Sequence, residues 1–343
     1  MRSVIGGIAL AGLLGIAPVQ AADVVTIGIV PAISAAASYM AVEKGYFREA
    51  GIEVQFENFP SASPAMPLLA SNRMQVVEGG LSVGYFNALV QGLPVIMALE
   101  RGSSPLNHDL LVRPDLKDSI KTVADLKGKS VALSAPGSIA IYEVGKVLAT
   151  AGLTLKDIDV KYISFSDMGI ALSNRAVDVV DIVPPFGGIV LDKGLGVRWV
   201  DPDTFIKPQP VLISAYIANS DWTKTHKDLA DRLFLAIVKG ARDYCQAYHH
   251  GPNRNEVIDT LVKYDAVTDR KILDEMPWQA RDPNGKLNAE SAIDQQKWYV
   301  QNALLKQTVP LDHLLDTSYA DYAASHLPPF KVANQNSTLE GCR

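Results

Sequence analysis

The apolar and polar positions of the chain predict strands and helices in regular alternation. Residues 24–30 (VVTIGIV) form an apolar, β-branched run closed by Pro31, which reads as a buried strand. Residues 34–43 follow with helical spacing, with Ser34 as a cap and Gly45 as the stop. Residues 53–59 alternate as a second strand. Between Met66 and Met97 the pattern gives helix, strand, turn, helix, strand. Leu68, Leu69 and Met74 make a helical face, and Val76-Val77 a short buried strand. Gly79-Gly80 is read as a turn, and Ser82 as the cap of a helix carrying Val83, Phe86, Asn87 and Val90.

A second series starts with a short strand at 109–112. Another strand, 130–133, runs into Ser134-Ala135-Pro136-Gly137-Ser138, which opens a helix reaching about Thr150. Strands at 159–163, 177–182 and 195–199 alternate with helices at 168–174 and 187–191. A strand at 211–218 is followed by one long helix over 221–248 and a helical remainder near 253–264, 268–276, 288–306 and 311–325. The βα order predicts an α/β fold with mainly parallel sheets. The chain crosses between two units near 107–114 and 210–219, so the second unit, 111–213, is inserted in the first, 22–110 with 214–343. Two crossing segments would serve as hinges. Ligands of such sheets sit beyond the carboxyl ends of the strands.

Those strand ends carry the candidate chemistry. Gly lets a ligand approach the backbone, and free N–H groups where a helix starts favour an anion. Ser82 and Ser138 either donate to ligand oxygens or only cap their helices. Arg101 follows a strand and is either a fork for a carboxylate or sulfonate or a solvated surface arginine. Tyr39 either stacks on a ligand or packs in the core. Asp181 is better suited to fixing a turn or bonding the opposite unit, because a carboxylate repels an anion. No hydrolase elbow, Walker loop, dinucleotide fingerprint or HExxH spacing occurs, and neither cofactor nor metal is expected.

Composition narrows the compartment and partners. A net charge of −5 over 343 residues argues against general nucleic-acid affinity. Arg2, the apolar run 4–16 and Val19-Gln20-Ala21 read as a secretory signal over residues 1–21, cleaved on export to the periplasm. No Cys follows the cut, which argues against lipid attachment. Cys245 and Cys342 either form a bridge clipping the tail to a helix or remain two free thiols.

Glu43-Lys44-Gly45-Tyr46-Phe47 with Ala50-Gly51-Ile52-Glu53-Val54 resembles a signature of the substrate-binding proteins of ABC importers, in the nitrate, sulfonate, taurine and thiamine-precursor group. Residues 69–76, 87–95, 123–129 and 174–186 resemble further stretches of that group in the same order. The resemblance implies a two-lobed periplasmic binding protein of type II, a monomer that hands its ligand to a membrane permease. Carried over by position, the cleft would be lined by Ala36, Ala37 and Tyr39, by Gly80, Leu81 and Ser82, by Ser134, Gly137 and Ser138, and by Pro184 with Pro185. Val183-Pro184 stands where relatives often have Trp-Glu, which argues against amine-bearing ligands and for a small organic anion, a sulfonate or a carboxylate. Alternatives are a neutral pyrimidine precursor of thiamine as ligand or a pyrimidine-synthesis enzyme of the same fold, which would want a Cys- or His-rich segment that the chain lacks.

Overall fold

The computed structural model describes residues 22–264, 269–333 and 342. The expected signal segment, 1–21, lies outside the described residues. Ten strands form two sheets. They are β1 (Asp23–Ile29), β2 (Ile52–Asn58), β3 (Val76–Gly80), β4 (Val95–Ser103), β5 (Asp109–Val112), β6 (Ser130–Leu133), β7 (Asp159–Tyr162), β8 (Val179–Ile182), β9 (Val197–Val200) and β10 (Leu212–Asn219). The first sheet has the order β2-β1-β3-β10-β4 and the second β7-β6-β8-β5-β9.

Both sheets are mixed, which corrects the expectation of mainly parallel pairing. β1 pairs in parallel with β2 and β3, while β10 runs antiparallel to β3 and β4. In the second sheet β5 runs against β8 and β9. The cause is topological. β5 and β10 are the strands on which the chain arrives from the other sheet, so each starts at the facing edge and runs away from it. The parallel strands run toward that edge, and their carboxyl ends meet there.

Helices cover both sheets, and small residues set how closely they pack. The helix Lys227–Tyr248 lies across the helix Ala36–Glu43, and a Cβ added at Gly240 would stand 3.0 Å from the backbone nitrogen of Ala41. Ala36 and Ala37 are fully buried under that crossing. The long helix expected over 221–248 is two helices, Ser220–Thr225 and Lys227–Tyr248, broken at His226 (φ −124°, ψ 46°). Its cap is Asn219, whose side-chain oxygen accepts the N–H groups of Asp221 and Trp222.

The C-terminal helices reach both sheets. In the helix Ala289–Gln301, Asp294 accepts from Tyr142 Oη at 2.7 Å and pairs with Lys146 at 2.8 Å, on a helix of the second sheet. Tyr299 of the same helix donates to the Leu81 carbonyl at 3.0 Å, on the first-sheet side. A disulfide joins Cys245 to Cys342 across 97 residues and pins the tail to the long helix.

Candidate functional site

The carboxyl ends of the two sheets enclose a cavity of about 50 Å³. Three hydrogen bonds join its rims. The Val83 N–H donates to the Gly137 carbonyl at 2.9 Å, Ser63 Oγ donates to the same carbonyl at 2.9 Å, and the Ile33 N–H donates to the Pro184 carbonyl at 3.2 Å.

The twelve residues expected at the cleft divide evenly. Gly80, Ser82, Arg101, Ser134, Ser138 and Pro184 line the cavity. Ala36, Ala37, Tyr39, Leu81, Gly137 and Pro185 do not. Tyr39 stacks on Tyr264 with centroids 4.7 Å apart and meets Phe56 edge-on, so helix packing holds it. Ala36 and Ala37 sit under the long helix, and Leu81 belongs to the apolar core. Gly137 (φ +69°) supplies the carbonyl that binds the opposite rim.

Gly79-Gly80 closes β3 and is not a turn. Neither glycine has a positive φ. The need for glycine is spatial: a Cβ at Gly80 would fall 2.9 Å from Ile139 Cβ, on the opposite lobe. Ser82 caps the helix Val83–Val90 as expected, accepting the Tyr85 N–H at 3.2 Å. Its first free donor, Val83 N–H, is taken by Gly137, so this helix start is spent on joining the lobes.

Arg101 is buried, not solvated, at 2% exposure. Nη2 donates to the Val30 carbonyl at 2.6 Å and Nε to Glu78 Oε2 at 3.3 Å, which fixes the guanidinium beside the cavity. Burial pushes the Glu78 carboxyl up, while the Arg101 charge and hydrogen bonds from Ser38 and Tyr216 pull it down; the net direction is upward.

Sequence reasoning missed four polar residues of the wall, Ser61, His108, Ser214 and Gln279, and read a fifth, Ser34, only as a helix cap. Two carried a signal. His108 lies in the first crossing segment, and Ser214 is a hydroxyl within an apolar strand. Gln279 carried none, because an isolated bridge between Ser103 and Ala280 brings it there from far along the chain. The Oγ atoms of Ser61, Ser138 and Ser214 are buried and have no hydrogen-bond partner in the protein.

His108 Nδ1 lies 2.7 Å from Glu143 Oε1. Burial alone would lower its pKa, but the Glu143 charge and hydrogen bond outweigh burial and lift it to about 9. The ring therefore carries charge at neutral pH. Its Nε2 faces the Gln279 amide at 3.3 Å, and an amide can turn its oxygen to a charged ring or its NH₂ to a neutral one. A carboxylate orienting a histidine resembles part of a hydrolytic triad, but here the outer nitrogen meets an amide and not a serine hydroxyl.

Asp181 neither fixes a turn nor bonds the other lobe. Both its carboxyl oxygens are buried without a hydrogen bond, and it does not line the cavity. Burial first, and the Glu143 charge second, raise its pKa against the pull of His108. Among the described residues, the cavity wall thus holds two cationic side chains, Arg101 and His108, and no carboxylate.

A profile of the family described as NMT1/THI5 like matches residues 33–249. A thiamine biosynthesis protein, by its name, from Haemophilus influenzae is 26% identical over 255 residues, covering 71% of this chain and 74% of its own. Among solved structures, the periplasmic nitrate-binding protein of Synechocystis PCC 6803 superposes with a TM-score of 0.74 at 14% identity, covering 89% of each chain. The alkanesulfonate-binding protein of Xanthomonas axonopodis pv. citri, bound to MOPS, superposes with a TM-score of 0.68 at 18% identity, covering 85% of this chain and 97% of its own. A desulfurization enzyme, DszB, shares the fold too, with a TM-score of 0.64 at 16% identity over 89% of this chain and 99% of its own. These likenesses establish the two-lobed binding-protein fold.

Proposed function

The chain belongs to the NMT1/THI5-like family, and from that membership we propose that it is the solute-binding component of an ABC-type uptake system, capturing a small organic anion between its lobes. It works in the periplasm and delivers the ligand to a permease in the inner membrane. The supporting observation is the cavity wall: Arg101 and His108, three hydroxyls without partners and no carboxylate. Buried donors without partners are costly unless a ligand meets them. An anion supplies acceptors to all of them and offsets two buried cations. The alkanesulfonate and nitrate proteins of the same fold, which capture anions by name, agree with this reading.

Binding without turnover fits the same wall. His108 is engaged on both nitrogens, so no free base faces a hydroxyl. A second reading, a neutral pyrimidine ligand, draws on the relative named for thiamine biosynthesis. Titration calorimetry separates the two. Nitrate, acetate, methanesulfonate, benzoate and benzenesulfonate are tested against an aminopyrimidine at pH 7. Heat from at least one anion and none from the pyrimidine supports the anion reading; the reverse replaces it.

A further inference from the structure

The cavity is too small for the whole of an anion that carries an aromatic ring. An apolar cavity of about 150 Å³ is what a benzene molecule occupies, and this one has about 50 Å³. It suits a head group of a few heavy atoms. A second space of about 270 Å³ adjoins it, and Val30, Pro60 and Phe165 belong to both walls. The rest of its wall includes Pro31, Phe59 and Phe186, with Asn58, Ser164 and Ser166 as the polar members and no ionisable side chain. Phe165 and Phe186 lie nearly parallel, 22° apart with centroids at 6.0 Å. Phe59 and Phe165 are only half-buried.

We propose that this space is the tail compartment of the same site, and that the ligand is a monoanion carrying one aromatic ring. This rests on the anion reading above. The head sits on Arg101, His108 and the unpartnered hydroxyls, and the ring leaves the chamber between Val30 and Phe165. There it covers Phe59 and Phe165, which removes apolar surface from water, and it meets Phe165 as aromatic pairs do, offset or edge-on. A second charge on the ligand would find no partner there, so dianions and zwitterions are disfavoured.

Calorimetry on matched pairs tests the compartment: acetate against benzoate, and methanesulfonate against benzenesulfonate, on the wild type, Phe165→Ala and Phe59→Leu. The expected result is an aryl member binding about tenfold or more tighter than its methyl partner, a ratio that Phe165→Ala brings close to one. Phe59→Leu, a milder change at a half-buried position, should reduce the ratio in part. Equal affinities within each pair, or a ratio that survives Phe165→Ala, overturn the tail compartment and leave the anion reading standing. No heat from any of the four, nor from nitrate, overturns both.

Discussion

Replacing Glu143 with Gln isolates the charge on His108. In the wild type the histidine pKa stands at about 9, against 6.5 for an ordinary imidazole. A folded pKa raised above the unfolded one stabilises the protein fully below the unfolded value, and that stability is lost as pH rises through the folded one. At 1.36 kcal/mol per unit, the rise corresponds to about 3 kcal/mol, complete below pH 6.5 and gone a little above pH 9. Asp181 adds a slope of the same sign, since its pKa is raised and Glu143 contributes to raising it. In Glu143→Gln burial acts on His108 against only the lesser Asp181 and Asp203 charges, so its pKa falls and the ring loses most of its charge at pH 7. The variant should be about 2 to 3 kcal/mol less stable at pH 7, with the gap closing above pH 9. Urea unfolding at a series of pH values from 5 to 10 measures this, and histidine ring NMR resolves it directly, because the chain has only six His. Benzoate or methanesulfonate affinity at pH 7 should fall roughly tenfold with the lost cation. A His108 resonance still titrating near 9 in Glu143→Gln would refute the reasoning.

Three further perturbations probe the closed lobes, the buried pair and the bridge. Gly80→Ala sets a methyl against Ile139 and should hold the lobes apart at a cost of about 1 to 3 kcal/mol; small-angle scattering should show a larger radius of gyration, and Ile139→Ala in the same chain should restore it. Arg101→Met leaves Glu78 buried without its cation and should cost about 3 to 5 kcal/mol, while adding Glu78→Gln should recover much of the loss by thermal unfolding. Reducing the Cys245–Cys342 bond, which closes a loop of 97 residues, should lower stability by about 2 to 5 kcal/mol, read as a fall in the urea midpoint.

What could be read in the sequence was what local spacing encodes. The βα alternation, the Ser82 cap and the second helix opening at Ser138 each follow from a few neighbouring residues, and each marks a strand end that faces the cavity. The errors share the opposite origin. Gly79-Gly80 looks like a turn because glycine pairs usually are, yet here Gly80 makes room for Ile139, some sixty residues downstream in the other lobe. Tyr39 looks like a ligand contact one turn into a helix, but the stack with Tyr264 places it in a helix interface.

The charge of the site was the hardest part to read, and it decides what the site can hold. Local sequence offers Arg101 next to an acidic residue, Glu100, and places His108 next to Asp109, so neighbours along the chain imply neutralised cations. In the fold the partners come from elsewhere: Glu78 grips Arg101 from β3, across the intervening β10, and Glu143 grips His108 from a helix of the second lobe. Both carboxylates stand behind their cations and neither reaches the cavity wall. A carboxylate placed behind a cation fixes its position and keeps it charged while staying off the cavity wall. That arrangement is what the proposed anion site requires, in a chain whose net charge is −5. The sign of the whole protein therefore says nothing about the sign of its ligand, because at contact distance the few groups that line the cavity outweigh a surface charge screened within about 10 Å.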